Sequence, residues 1–96
     1  MPAGAAFHTL SAQERHSIDS WRIRAAERGL DAVDLIARNW KVRGARAIIG
    51  IFRAGEPRAA WLLGRGDGAW VVIDFETKTV IGLAPGLDDA LALVVP

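Results

Sequence analysis

Apolar and polar positions fall into short alternating blocks between Ala47 and Leu83. Four apolar runs of strand length are separated by three polar segments rich in Gly, Pro, Asp and Glu. This pattern is typical of a meander of antiparallel strands joined by tight turns. The predicted strands cover residues 46–52, 58–64, 69–75 and 79–83.

The segment before the meander has the pattern of an amphipathic helix. Ser11 and Glu14 have the S-x-x-E spacing of a capping box, in which each side chain accepts a hydrogen bond from the backbone N–H of the other residue. Gly29 is suited to the left-handed residue that follows the last turn. The residues expected to face the core are Ile18, Trp21 and Ala25.

A second helix is predicted directly after Gly29. Asp31 is a suitable N-cap, and Asp34 would lie in the first turn beside the positive end of the helix dipole. The apolar stripe of this predicted helix is formed by Val33, Ile36, Ala37 and Trp40.

Together these elements predict an α+β fold. Two N-terminal helices would pack on one face of a three- or four-stranded antiparallel meander. A short C-terminal helix, starting at Asp88 or Asp89, would lie on the other face or at the edge. Residues 1–9 would form a flexible tail unless Phe7 packs on the core, and residues 10–96 a single domain.

The third predicted strand raises the question of which sheet face is buried. Alternate residues of a strand point to opposite faces. If Asp74 points into water, then Val71, Ile73 and Phe75 belong to the core, and Trp70 and Val72 lie on the opposite face. Both faces are more apolar than a half-exposed meander requires, so either the C-terminal helix or another molecule is expected to cover the second face.

This reasoning gives a candidate partner-binding site on two neighbouring strands. Two tryptophans on one face would form an aromatic platform for a partner or a symmetric homodimer. The alternative is that both tryptophans are ordinary core residues under the last helix. The residues of this candidate site are Trp61, Leu63, Trp70 and Val72.

The charge distribution offers a second functional hypothesis. The net charge is only +1, but residues up to Gly50 carry eight Lys or Arg against five acids, whereas later residues carry four against six. A basic first half is compatible with nucleic-acid binding, although Glu14, Asp19 and Glu27 interrupt the basic residues. The candidate nucleic-acid-binding residues are Arg15, Arg22, Arg24, Arg28, Arg38, Lys41 and Arg43.

Catalytic chemistry finds little support in the sequence. The chain has no cysteine and only two histidines, His8 and His16, which do not have metal-ligand spacing. The carboxylate pairs Asp74–Glu76 and Asp88–Asp89 have the positions of turn formers and helix caps. The expectation is a protein that is not an enzyme, with no catalytic residue, cofactor or metal.

The predominance of Arg over Lys, together with abundant Ala and Gly, indicates a GC-rich bacterial genome. No apolar run approaches the ~20 residues of a membrane span, and the N-terminus lacks the features of a signal peptide. The expected location is therefore cytoplasmic, with no membrane partner.

The order of a helix followed by a meander with the turn D-x-E-T-K-T-V-I-G, residues 74–82, resembles small bacterial α+β modules, including PepSY-like domains. The resemblance implies a fold of that class and no site residues. The functional expectation is a small non-catalytic bacterial binding or regulatory protein, acting by protein–protein contact or self-association through an apolar sheet face.

Overall fold

The computed structural model describes residues 7, 9–35, 46–66 and 68–94. In these residues the chain forms an α+β fold with two helices and five strands. The elements are α1 Ala12–Ala26, β1 Leu30–Asp34, β2 Ala47–Arg53, β3 Trp61–Arg65, β4 Trp70–Asp74, β5 Thr79–Ala84 and α2 Leu87–Ala92.

The five strands form one antiparallel sheet in the order β1-β2-β3-β4-β5, so each strand pairs with its neighbours in sequence. The meander predicted for β2 to β5 is confirmed, and β1 adds a fifth strand at one edge. Short turns suffice for such a sheet, because antiparallel neighbours need no crossover.

Helix α1 begins as predicted. The Ser11 hydroxyl accepts from the N–H of Glu14 at 3.1 Å, and the Glu14 carboxylate accepts from the N–H of Ser11 at 2.9 Å. Ile18 and Ala25 are buried, and Trp21 packs against the same core cluster. Gly29 has φ +72°, the left-handed conformation expected at the end of the helix.

The predicted second helix is wrong where the structure describes it. Residues 30–34 form β1, which pairs with β2 from Leu30 opposite Arg53 to Asp34 opposite Ile49. The side chain of Asp31, predicted to cap a helix, instead forms an ion pair with Arg22 of α1 at 2.7 Å. The other residues of the predicted stripe, Ile36, Ala37 and Trp40, lie outside the described residues.

The C-terminal helix forms, but not on the face opposite α1. Helix α2 begins at Leu87 and packs against α1, β4 and β5, on the same side of the sheet as α1. The placement on the other face was therefore wrong, whereas the alternative placement at the edge agrees with the contacts of α2 to the edge strand β5. Its predicted apolar contacts are confirmed as buried: Leu87, Ala90, Leu91 and Val94.

The sheet thus has two unlike faces, which strand pairing and alternation define. We call the side covered by α1 and α2 the helix face. Its main residues are Ala32, Ile49, Ile51, Trp61, Leu63, Trp70, Val72, Gly82 and Ala84. We call the opposite side the far face. Its main residues are Val33, Ile48, Gly50, Phe52, Leu62, Gly64, Val71, Ile73, Val80 and Leu83.

Candidate functional site

The four residues predicted to bind a partner lie on the helix face. Trp61, Leu63, Trp70 and Val72 are 5 %, 0 %, 2 % and 0 % exposed and belong to the core cluster. They share one face of the sheet, as predicted, but that face is covered by the helices. The assignment of Trp70 and Val72 to the uncovered face was wrong, and so was the assignment of Val71 and Ile73 to the core beneath the helices.

The error has a local cause at Asp74. The carboxylate of this residue accepts hydrogen bonds from the N–H groups of Glu76 and Thr77, at 3.0 and 3.2 Å. Asp74 therefore closes the turn after β4, the role expected of an Asp at this position. A polar residue at the end of a strand serves the turn and does not show which face of the strand is in water.

The observed register of β3 and β4 also differs from the register obtained by counting residues symmetrically about the turn that joins them. Leu63 is opposite Val72 and Arg65 is opposite Trp70, whereas symmetric counting about the turn pairs Leu63 with Trp70. The difference is two residues along the partner strand. Because side chains alternate with a period of two, such an error leaves every residue on the same face.

At the end of β3, Arg65 ties the sheet to the start of α1. One guanidinium nitrogen lies 2.7 Å from the carboxylate of Glu14, and another donates to the carbonyl oxygen of Thr9 at 3.0 Å. The guanidinium carbon also lies 5.7 Å from the ring centre of Trp70, which is within cation–π range. These contacts of Arg65 therefore join β3 to the start of α1 at one end of the helix face.

Two opposing effects act on the pKa of Glu14. Burial raises the pKa of the Glu14 carboxyl, but the N–H of Ser11 and the guanidinium of Arg65 stabilise the charged form. These hydrogen bonds and the positive charge outweigh burial, so the pKa lies below its ordinary value of 4.5. Glu14 is thus both a helix cap and an ion-pair partner.

Among the described residues, no helix lies over the β4–β5 half of the far face. Val80 and Leu83 are 57 % and 70 % exposed, and Val71 and Ile73 are half-buried. A Cβ atom placed on Gly64 would meet no atom within 4 Å, so the surface is open above β3 as well. No charged residue projects from β3, β4 or β5 on this side, which makes the surface continuous and apolar.

The β1–β2 half of the far face is different. Ile48 and Gly50 are buried there. A Cβ on Gly50 would approach side-chain atoms of both Leu35 and Phe52 to 2.9 Å, so these two side chains lie directly over the glycine. Exposure on the far face therefore increases toward β5.

The four candidate nucleic-acid-binding residues that the structure describes do not form one stripe. Arg15 and Arg22 lie on one side of α1, while Arg24 is about 200° around the helix from Arg22, because a helix turns about 100° per residue. Arg22 is paired with Asp31, whereas Arg15, Arg24 and Arg28 are exposed. The remaining candidates, Arg38, Lys41 and Arg43, lie outside the described residues.

The described part of the chain also contains a shallow groove of about 670 Å³ between the end of α1 and the hairpin of β1 and β2. Ile23, Leu30 and Phe52 contribute apolar lining, and the charged wall includes the Arg22–Asp31 ion pair. Within these same residues, no group of three or more His, Asp or Glu side chains is arranged to hold a metal.

No protein-family model, no curated protein and no solved structure matches this chain. The resemblance to PepSY-like modules therefore gains no support. In the described ranges, no helix combines the length and apolar character that crossing a membrane requires. Sequence reasoning missed the far-face surface, although the uncharged run of β5, T-V-I-G-L-A, was a visible signal for it.

Proposed function

We propose that this protein is a small, non-catalytic binding protein that acts by protein–protein contact through the β4–β5 half of the far face. The observation that carries the proposal is the continuous apolar surface around Val71, Ile73, Val80 and Leu83, which α1 and α2 leave uncovered. Contiguous apolar surfaces of this kind are uncommon on monomeric proteins except where another molecule binds.

The dimensions of the sheet suit such a role. An ordinary protein–protein interface covers about 800 Å² on each partner. A partner of that size would occupy most of the far face, including Leu62 on the central strand. The helix face cannot serve, since its large side chains are already buried against α1 and α2.

Nucleic-acid binding by the basic first half stays a prediction. No contact among the described residues favours it, because the arginines of α1 lie on different sides of the helix and one is paired with Asp31.

The proposal is tested by site-specific photo-crosslinking. A photoreactive amino acid is placed at Ile73 on the far face or, as a matched control, at Ile23, which is 76 % exposed on α1. Each purified variant is irradiated in a lysate of the organism that encodes the chain, and adducts are identified by mass spectrometry. We expect a defined adduct, with another protein or a second copy, from position 73 and none from position 23.

A second variant, Leu62→Lys, is designed to disrupt the interface, because it places a charge at the centre of the far face. It should abolish the adduct from position 73 while the circular dichroism spectrum stays unchanged. Equal adducts from both positions, or an adduct that survives Leu62→Lys in a folded protein, would show that the far face is not the interface.

A further inference from the structure

The two edges of the sheet are protected to very different degrees. Edge strands expose unpaired backbone N–H and C=O groups, and monomeric proteins commonly protect them with charged residues, Pro or covering segments. The edge strand β1 carries two carboxylates in five residues, and Asp31 is held by Arg22 of α1. The buried carboxylate of Asp34 accepts the N–H of Phe7 at 2.6 Å, which fixes Phe7 against this strand.

The other edge strand, β5, has no charged residue, no Pro and, among the described residues, no covering segment, although a one-residue bulge at Ile81 interrupts its pairing with β4. Within that part of the chain, β5 pairs with β4 alone. The described residues contain four large exposed hydrophobic side chains, and three of them are in this strand: Val80, Ile81 and Leu83. The side chains and the backbone of β5 are therefore both available for pairing.

We infer that β5 pairs antiparallel with β5 of a second copy of this chain, so that two five-stranded sheets join into one across a two-fold axis. The inference goes beyond the proposed function, because it concerns the strand edge and not the centre of the far face. In such a dimer the far faces of both copies form a single surface of twice the width.

Three observations favour a second copy over another strand-forming partner. The strand is uncharged throughout, so antiparallel copies bring no like charges together. Val80 and Leu83 lie on the same face, three residues apart. In an antiparallel pair, Val80 of each copy can therefore pack against Leu83 of the other copy. In the part of the chain that the structure describes, β5 is the one edge without charged residues, so pairing ends at two copies and does not continue into a fibre.

The dimer is expected to be weak. A single pair of six-residue strands, with a few side chains beside it, falls among the small interfaces of less than about 1,200 Å² in total, which characterise transient complexes. Association should therefore depend on concentration in the micromolar range.

The test is sedimentation of the purified full chain over a concentration series. We expect the mass to rise from 10.3 kDa toward twice that value and to stop there. Leu83→Lys should restore the monomer mass at every concentration, since the charge lies beside the pairing edge. Val80→Lys, a second edge variant, should do the same, whereas Leu62→Lys, on the central strand, should leave the dimer intact.

A measurement without substitution addresses the backbone directly. Amide hydrogen exchange of Thr79–Ala84 should slow with increasing protein concentration, because pairing protects the outward-facing N–H groups, while exchange in β1 stays constant. A monomer at all concentrations, growth beyond two copies, or a dimer that Leu62→Lys breaks and Leu83→Lys leaves intact would each overturn the inference. The last result would still agree with the proposed function, and so would a monomer that forms a far-face adduct with another protein.

Discussion

The two faces of this sheet have nearly the same hydrophobic character along the chain, and the structure uses them in opposite ways. The helix face buries Trp61, Leu63 and Trp70 under α1 and α2. The far face leaves Val80 and Leu83 more than half exposed. Within β3 and β4 the two kinds of position alternate, since Leu63 and Val72 are fully buried whereas Leu62 and Ile73 are only half-buried.

The difference shows that apolar composition does not by itself distinguish a core from an interface. What separates the faces is their boundary. The helix face ends at charged groups that contact the helices, such as Arg65 with Glu14, whereas the described residues show no such ion pair on the far face of β4 and β5. The following predictions test this distinction, starting with the largest expected effect.

The strongest contrast comes from neighbouring leucines in β3. Leu63→Ala removes a side chain that is 0 % exposed, and the transfer and cavity terms together should lower the free energy of unfolding by about 3 kcal/mol. Leu62→Ala, one residue away on the far face, should cost less than about 1 kcal/mol. Urea denaturation measures both. Equal losses would mean that the far face is packed as tightly as the helix face.

Two glycines offer the converse experiment, in which volume is added. A Cβ on Gly82 would lie 3.1 Å from a methyl group of Leu93, so Gly82→Val should destabilise the fold by about 2 kcal/mol through overpacking. Gly64→Val projects into open space and should be neutral or stabilising by up to about 1 kcal/mol, because Gly weakens a strand interior. Thermal unfolding of the two variants checks the signs, and a destabilised Gly64→Val would contradict an open surface above β3.

The ion pair between Glu14 and Arg65, at the end of the helix face, should make the free energy of unfolding depend on pH. The pKa of Glu14 is lowered in the folded state, so its contribution is complete above the ordinary value of 4.5 and is lost as the pH falls through the folded value. Glu14→Gln keeps a capping residue but removes the charge. Wild type should be more stable than Glu14→Gln at neutral pH, and the difference should shrink on acidification. A difference that stays constant with pH would show that the charge of Glu14 does not contribute.

The smallest effect is expected at the β5 edge. Leu83→Lys, measured at a protein concentration low enough to keep the chain monomeric, should change the free energy of unfolding by less than about 0.5 kcal/mol, because the side chain is 70 % exposed. Urea denaturation checks this value. A large loss would place Leu83 in the folding core of the monomer and would remove it from the set of surface residues.

Local signals in the sequence were sufficient for much of the fold. The capping box at Ser11 and Glu14, the glycine at position 29 and the turns between β2 and β5 all depend on residues close together in the chain. Local hydrogen bonding and backbone preference decide such features, so they were predictable. The segment after Gly29 was wrongly predicted to be a helix, because the alternation L-D-A-V-D is short. Asp is also common both at a helix N-cap and in a charged edge strand.

The candidate site depended on a choice that no local signal makes. Alternation correctly grouped Trp61 with Leu63, Trp70 and Val72, and it also grouped Val71 with Ile73. The sequence by itself therefore determined which residues share a face and that both faces are apolar. Only the tertiary structure decided which face is covered, because that choice depends on where α1 and α2 pack. Those contacts join residues far apart in the chain, and each helix buries its apolar stripe against the sheet from the same side.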